Sequence, residues 1–261
     1  MTVDSIFYII FLFLFGLALG SFLNVIIYRL PRKESIIFPG SHCPSCGTPI
    51  KYRDNIPVMG YIFLRGRCRR CSSPISVKYP LIELFTGCMV VILYFIHGFN
   101  INFAADIILG SILLVAAVID EEHMIIPNRL TYPGFIIAII LSLRWGLKGI
   151  IRGFCGIFPG LIILGFMYII GKLLFKRESI GMGDFKLIFV IGFFVGPLWS
   201  TVIVFLAILI GGFWGLFQLL AGKKHIGQEV PFGPFISAGG FIVLFFRDQL
   251  FFLIDQYVKM F

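Results

Sequence analysis

The sequence predicts an all-α polytopic membrane protein of about eight transmembrane helices, with a small cytosolic loop domain between the first and second. Of its 261 residues, 59% are hydrophobic, only 13% are charged and 31 are phenylalanine. Soluble domains carry about 25% charged residues, so this composition excludes that class. Apolar stretches close to the ~20 residues that cross a bilayer recur along the chain. One polar segment, between the first two of them, carries two closely spaced pairs of cysteines.

Eight apolar stretches are the predicted transmembrane helices. The fourth contains Arg144, and the sixth is short and separated from the seventh only by the break "VGPLWS" at 195–200. These two are the least regular of the set. The stretches comprise residues 6–27, 81–96, 101–119, 132–147, 153–174, 187–197, 199–220 and 232–254.

The distribution of Lys and Arg predicts the orientation of these helices. Asp4 is the one charge before the first stretch, while Arg29, Arg32 and Lys33 follow it, the reverse of a cleavable secretory signal. We therefore expect the first stretch to stay in the membrane with the N-terminus outside. The cytosolic loops then hold most of the 22 Lys and Arg residues, including Lys176, Arg177, Lys223 and Lys224, and the outside keeps Arg144, Lys148, Arg152, Arg247 and Lys259.

The formal net charge of +9 follows from these basic residues beside the membrane helices. Binding of nucleic acid is the weaker interpretation of the charge, because no nucleic-acid-binding motif accompanies it. We therefore expect membrane lipids, and no nucleic acid, among the partners of the chain.

Residues 29–80 have the composition of a small soluble module, rich in Pro, Gly and Arg. They contain "CPSCG" at 43–47 and "CRRC" at 68–71. Two CxxC pairs place four thiolates at the corners of a tetrahedron, the geometry of structural zinc. Two disulfides are the alternative, but thiols stay reduced in the cytosol, where we place this loop. We predict a structural Zn²⁺ site formed by Cys43, Cys46, Cys68 and Cys71.

Two aspartates are expected at the cytosolic ends of different helices. Asp120 ends the third apolar stretch, and Asp184 precedes the sixth, within "GMGDFK" at 181–186. Two carboxyl groups at one depth can share a proton and activate a water molecule against an amide carbonyl. This pair indicates the chemistry of an aspartic protease.

The surroundings of the two aspartates predict different roles for them. The N-terminus of the following helix and Lys186 favour the ionised form of Asp184, which would act as the base. Glu121 and Glu122 lie beside Asp120 at the end of a helix, which favours the protonated form and the role of acid. The two groups titrate as a unit, so the assignment is a hypothesis.

Two glycines flank this aspartate motif. Gly181 and Gly183 lack a Cβ and would allow an extended substrate backbone to approach the acids, although a flexible turn is the alternative. For Asp184 itself, the alternative to a catalytic role is that of an N-cap for the following helix. Physical arguments alone do not separate the cap from the catalyst.

Taken together, the motifs of this chain resemble the type IV prepilin peptidases, also called leader peptidases. The resemblance extends over nearly the whole chain and depends on the order and spacing of the motifs. Besides the paired CxxC motifs, they are "GSFLNVIIYRLP" at 20–31, "KYPLIELFTG" at 78–87, "VIDEEHMIIPNRLT" at 118–131, "GMGDFKL" at 181–187 and "PFGPFISAGG" at 231–240.

The resemblance implies a GxGD-type intramembrane aspartic protease of the bacterial inner membrane, with Asp120 and Asp184 as the catalytic pair. The family removes the short basic leader of prepilins and pseudopilins after a glycine, at the cytosolic face. Many members also methylate the new N-terminus with S-adenosylmethionine, and those members commonly carry the cysteine loop. The methyl transfer is implied by the resemblance alone, since the chain shows no glycine-rich nucleotide fingerprint.

Two further residues are assigned through the resemblance. Many relatives have an aspartate where this chain has Asn128, and an amide cannot exchange a proton, so Asn128 is expected to be a helix cap or a polar contact near the site. Glu83 resembles a family position linked with the cysteine loop. It is a candidate contact for the substrate amine or for a loop arginine, and a carboxylate at a helix N-terminus is the alternative.

The chain is accordingly divided into a first helix at 1–28, a zinc-binding loop domain at 29–80 and a transmembrane aspartic peptidase domain at 81–261. An ion or solute transporter is one alternative function, but its acids would lie at the middle of the membrane. A non-catalytic scaffold of a secretion assembly is another. It predicts that neither aspartate is needed for function.

Overall fold

The computed structural model describes residues 3–175, 180–222 and 230–259. Four basic residues used to predict the orientation, Lys176, Arg177, Lys223 and Lys224, lie outside these ranges. The regular secondary structure of the described residues is helical, and two isolated β-bridges join short loop segments. The prediction of an all-α protein is confirmed.

Nine α-helices form the described part of the chain. Each of them except the short α2 overlaps at least one predicted apolar stretch. In chain order they are α1 Val3–Arg29, α2 Met59–Phe63, α3 Lys78–His97, α4 Ile101–His123, α5 Asn128–Ser142, α6 Gly146–Phe175, α7 Met182–Val195, α8 Pro197–Leu220 and α9 Gly233–Lys259.

Six segments of the described residues are long and apolar enough to cross a membrane, where the sequence predicts about eight helices that do so. One of the six, Asn128–Leu173, contains both α5 and α6 and therefore two of the predicted stretches. The predicted sixth stretch is α7, whose 14 residues span about 21 Å. That length is less than the ~30 Å hydrocarbon core of a bilayer.

The junction of α5 and α6 is a short 3₁₀ turn at Leu143–Trp145. Gly146 follows this turn with a φ of 59°, a left-handed conformation that glycine adopts without steric cost. Arg144, the charge that interrupts the predicted fourth stretch, lies in this turn. The charge therefore marks the end of one helix and not a site within it.

The chain divides into two compact units, Met1–Phe103 and Ala104–Phe261. In the first unit, α1 packs closely along α3. A Cβ at Gly16 would lie 2.7 Å from Gly87 Cα, and a Cβ at Gly20 would lie 2.7 Å from Glu83 Cα. Gly16 and Gly20 form the GxxxG pattern with which membrane helices bring their backbones together. The cysteine loop connects these two helices.

The second unit contains α5 to α9 and most of α4. Its helices also approach closely at small residues, since a Cβ at Gly192 of α7 would lie 2.5 Å from Gly156 O of α6. Ser237 Oγ of α9 donates a hydrogen bond to Leu113 O of α4 at 2.9 Å. Both predicted aspartates belong to this unit. The division of the chain at residues 28 and 80 stays a prediction.

Candidate active site and metal centre

Asp120 lies near the end of α4 with 6% of its surface exposed. The backbone N–H of Gly233, the first residue of α9, donates a hydrogen bond to Asp120 Oδ2 at 2.8 Å. A Cβ at Gly233 would lie 2.7 Å from the same oxygen. Glycine is therefore the residue that fits here, and α9 holds one oxygen of Asp120 in place.

Asp184 lies in the first turn of α7 with 5% of its surface exposed. The backbone N–H of Gly181 donates to Asp184 Oδ2 at 3.1 Å. This contact is one half of a capping box in which Gly181 is the N-cap and Asp184 is the third residue of α7, so the N-cap position that the alternative gave to Asp184 belongs to Gly181. Its other oxygen, Oδ1, is buried without a hydrogen-bond partner among the described residues. The cap therefore occupies one carboxylate oxygen and leaves the second available.

The two aspartates are close enough for the charge of Asp120 to act on Asp184. They come from the C-terminal end of α4 and the N-terminal end of α7. Each carboxyl group is oriented by one backbone N–H, which comes from Gly181 for Asp184 and from Gly233 for Asp120. Both contacts are made to Oδ2, and Oδ1 of Asp184 has no hydrogen-bond partner in the part of the chain that the structure describes. Such a buried carboxyl pair is the arrangement that aspartic proteases use.

The two glycines of the "GMGD" motif have different surroundings. A Cβ at Gly183 would lie 3.0 Å from Ile126 Cβ and 3.2 Å from its backbone nitrogen. Gly183 therefore lets α7 pack against the connection between α4 and α5. A Cβ at Gly181 would meet Asp184 Oδ2 at 3.5 Å, an ordinary contact distance. Gly181 is therefore the less crowded of the two glycines.

Lys186 and Asn128 form a polar contact beside the aspartates. Lys186 Nζ of α7 donates a hydrogen bond to Asn128 Oδ1, at the start of α5, at 2.8 Å. Asn128 thus serves as the polar contact that its amide predicts. Because this contact joins α5 to α7, it helps to hold the first turn of α7 beside the end of α4.

The four predicted zinc ligands come together in the first unit. The sulfurs of Cys43, Cys46, Cys68 and Cys71 all lie within 4.8 Å of one another, and none is in a disulfide. Cys43 Sγ and Cys71 Sγ are 3.9 Å apart. Ligands bound at ~2.3 Å to a tetrahedral zinc ion lie about 3.8 Å apart, so the cluster has the dimensions of a metal site. The disulfide alternative is not what the structure shows.

The two CxxC motifs form matching turns. Gly47 N–H donates to Cys43 O at 2.8 Å, and Ser72 N–H donates to Cys68 O at 2.9 Å. Gly47 and Ser72 both have a positive φ, 67° and 58°. Each turn directs backbone N–H groups towards its sulfurs, as zinc knuckles do. The repetition explains how two short motifs build one four-sulfur cluster.

The pKa of Cys43 is shifted in the direction that metal binding requires. Burial raises the pKa of this thiol, but hydrogen bonds from the backbone N–H groups of Cys46 and Ser45 outweigh burial and lower it to about 6. The pKa of Cys71 is also lowered, chiefly by the hydrogen bond of Ser73. The backbone N–H groups of Cys71 and Arg70 act to lower the pKa of Cys68, but burial and the contacts with the Cys43 and Cys71 side chains outweigh them and raise it. Thiolates are the form of cysteine that binds metal ions.

Glu83 lies in the first unit near the start of α3, with 8% of its surface exposed. Its Oε2 accepts a hydrogen bond from the backbone N–H of Val58 at 2.7 Å, so its partner in the loop is backbone and not an arginine. Val58 has a φ of 60° and a ψ of −52° within a γ-turn, an unfavourable conformation for a β-branched residue. The contact with Glu83 stabilises this strained turn.

A cleft of about 1000 Å³ opens beside Glu83 within the first unit. Its lining includes Asn24, Arg29, His42 and Tyr79 from the helices and the loop. Its volume is at the upper end of those of small-molecule sites. The sequence did not reveal this cleft, because it forms only when the loop folds back on α1 and α3.

Two models of known protein families match this chain, one within each compact unit. Residues 14–97 match the model of the bacterial peptidase A24 N-terminal domain, and residues 107–216 match that of the type IV leader peptidase family. No solved structure matches the chain.

Proteins named prepilin leader peptidase/N-methyltransferase are similar to this chain. The one from Aeromonas hydrophila is 32% identical over 93% of this chain and 92% of its own length. That from Klebsiella pneumoniae is 40% identical over 71% of this chain and 84% of its own length. That from Myxococcus xanthus is 36% identical over 81% of this chain and 63% of its own length. The chain belongs to the type IV prepilin leader peptidase/N-methyltransferase family.

Proposed function

We propose that this chain is a membrane-embedded aspartic endopeptidase that removes the basic leader of prepilins and pseudopilins after a glycine. We propose further that it methylates the amine that cleavage exposes. The observation that carries the first proposal is the buried pair of Asp120 and Asp184, each with one oxygen oriented by a backbone N–H. Family membership supports both activities.

In this mechanism a water molecule lies between the two carboxyl groups. The ionised aspartate removes a proton from the water, whose oxygen then bonds to the carbonyl carbon of the scissile peptide. The protonated aspartate donates a hydrogen bond to the carbonyl oxygen. The C–N bond breaks as the nitrogen of the leaving amine takes up a proton from the pair. Such a dyad titrates as a unit.

The position of α9, and not only the local sequence, affects which aspartate is the base and which is the acid. The sequence argument places Asp184 alone at a helix N-terminus, but α9 begins at Gly233 and directs its first N–H at Asp120. Both acids therefore lie at the positive end of a helix dipole. The local sequence therefore no longer separates the two acids, and the assignment of Asp184 as the base and Asp120 as the acid stays a hypothesis, which a spectroscopic titration that places the resting proton on Asp184 would reverse.

We propose that the aspartates face the cytosol in the bacterial inner membrane, with the N-terminus outside. The excess of basic residues at that end of the predicted helices supports this orientation. A cytosolic location also suits the reduced cysteines. We therefore propose that the four-cysteine cluster holds a structural Zn²⁺ ion.

One incubation tests both activities. Purified protein is mixed with a prepilin and isotopically labelled S-adenosylmethionine, and the molecular mass of the product is measured. A product that lacks its leader supports the peptidase, and a further methyl group of labelled mass supports the methyltransferase. An unchanged prepilin mass with a folded enzyme would contradict the proposed function.

Gly233→Ala should lower the rate of leader cleavage by about 100-fold with little loss of expression. The added Cβ would lie 2.7 Å from Asp120 Oδ2, so the acid or the start of α9 must move, and misplacement by ~1 Å costs about this factor. Gly212→Ala is the matched control, because a Cβ there meets nothing within 4 Å. Equal cleavage rates for the two variants would show that the Gly233 contact does not position Asp120.

We propose that the cleft beside Glu83 holds S-adenosylmethionine. The lining suits this ligand, because Glu83 offers a buried carboxylate to a cation, and His42 and Tyr79 offer rings to an adenine. The bound ligand would supply an electrophilic methyl group. Glu83 would hold the incoming amine and accept its proton.

Glu83→Gln should abolish methylation and leave cleavage within about threefold of wild type, since the aspartates belong to the other unit. The amide keeps the shape of the side chain, and its oxygen can still accept the Val58 N–H. Mass spectrometry of the product separates the two activities, and calorimetry measures binding of S-adenosylmethionine directly. Glu34→Gln, an exposed acid of the same unit, is the control. Full methylation by Glu83→Gln would exclude this site.

A further inference from the structure

Three arginines cluster in the second unit at the end opposite the aspartates. Arg144 lies between α5 and α6, Arg152 lies in α6, and Arg247 lies in α9. The charge of Arg152 acts on Arg144, and that of Arg247 acts on Arg152, so the three lie near one another. Arg152 Nη2 donates to Val195 O, at the last residue of α7, at 3.0 Å. Asp184 stands at the other end of that helix.

Two tryptophans hold the guanidinium groups of this cluster. Arg144 Cζ lies 3.6 Å and Arg152 Cζ 5.4 Å from the centre of the Trp145 ring. Arg247 Cζ lies 5.8 Å from the centre of the Trp199 ring. Tryptophan is common where membrane helices meet the headgroup layer. These cation–π contacts orient the arginines without neutralising them.

The arginines have more hydrogen-bond donors than the protein satisfies. Nε and Nη1 of Arg144 and Nε of Arg247 are buried without a hydrogen-bond partner among the described residues. One acid, Asp106 of α4, acts electrostatically on Arg144. Asp248, the neighbour of Arg247 in the sequence, is exposed, as is Lys148. Positive charge and unsatisfied N–H groups therefore coincide at one place.

The predicted orientation makes this cluster unusual. The positive-inside rule disfavours basic residues on the outer side of a bacterial inner membrane, and this set belongs to the few predicted there. Asp106 offsets one of the three positive charges, and the remaining guanidinium charge is repulsive unless a further anion lies there. A phosphate group matches both the charge and the fork-shaped donors of arginine.

We propose that Arg144, Arg152 and Arg247 bind the phosphate of an anionic phospholipid headgroup, in the leaflet opposite the catalytic aspartates. The acyl chains would lie along the exposed apolar surface of the membrane helices. Bound lipid would join α6 to α9 at this end of the unit. The proposal does not depend on the proposed enzymatic activity.

Native mass spectrometry of the full chain, transferred from micelles with phosphatidylglycerol or phosphatidylcholine, tests the proposal. We expect the wild type to retain phosphatidylglycerol in preference, and Arg247→Gln and Arg144→Gln each to weaken that retention about tenfold. Arg247→Lys should retain more phosphatidylglycerol than Arg247→Gln does. Lys259→Gln, a change of an exposed lysine paired with Asp255, should retain lipid as the wild type does.

Three outcomes would overturn the proposal. Equal retention of phosphatidylglycerol by the wild type and folded Arg247→Gln would show that the lipid binds elsewhere. Displacement of the lipid by millimolar inorganic phosphate, with the same sensitivity to Arg247→Gln, would identify free phosphate as the ligand. If the glutamine variants do not fold, the thermal stability of the wild type is measured with each lipid. Equal stabilisation by phosphatidylglycerol and phosphatidylcholine would exclude an anionic headgroup.

Discussion

Asp120→Asn and Asp184→Asn will each lower leader cleavage by about 100- to 10,000-fold while the protein stays folded in the membrane. An amide can neither take the proton from a water molecule nor return it to the leaving amine, and such proton transfer contributes about 10²–10⁴ to the rate. Asparagine keeps the shape of the side chain, and its oxygen can still accept the N–H of Gly233 or Gly181. The structural contacts therefore survive while the chemistry is lost.

The measurement is the rate of conversion of a prepilin to its shorter product, followed by mass. Glu121→Gln is the matched control, because it removes one negative charge from the exposed residue next to Asp120. We expect that control to cleave within a few-fold of wild type. Leader removal at the wild-type rate by either aspartate variant would favour the non-catalytic scaffold.

Removal of the metal will unfold the cysteine loop, which is the second large effect that we expect. Between residues 31 and 79 only Cys43, Gly60 and Gly66 are buried, so the loop has almost no apolar core. Structural zinc supplies ~10–16 kcal/mol in small metal-dependent domains, and here it would supply most of the folding free energy of the loop. The helices of the second unit should stay folded.

Two measurements on the full-length protein check this prediction. Elemental analysis under reducing conditions should find one zinc ion per chain, and Cys43→Ser should lose it. Trypsin should then cut the unfolded loop at its arginines, such as Arg65 and Arg67, faster than it cuts the loop of the wild type. Cys88→Ser changes a cysteine outside the cluster and should behave as the wild type. Wild-type protein without bound metal would end the zinc proposal.

Acid should release the metal from the cluster. The pKa of Cys43 is lowered to about 6, so this thiol is largely ionised at pH 7 and becomes protonated as the pH falls through that value. A group whose pKa is lowered on folding contributes stability that is full above its ordinary value, 9.0 for this thiol, and is lost as the pH falls through the folded value. Metal content measured between pH 7 and 5 should therefore decrease, and the resistance of the loop to proteolysis should decrease with it.

The sequence by itself determined the class of fold and located the residues of both candidate sites. The membrane helices follow from runs of apolar residues, and the metal cluster follows from two motifs that each span four residues. Both signals are local, because the bilayer sets the length of a helix and the tetrahedron sets the spacing of its ligands. The aspartates could be located for the same reason, since each ends or begins an apolar stretch.

Only the tertiary structure decided which groups meet across the chain. Gly233 lies 113 residues from Asp120, and this contact removes the local argument that had separated the roles of the two acids. The contact of Val58 with Glu83, the close packing of α1 on α3 and the arginine cluster are also products of helix packing. Local composition sets where a helix begins and ends. Which faces of two helices meet depends on the shapes of all their neighbours, and a single sequence does not display those shapes.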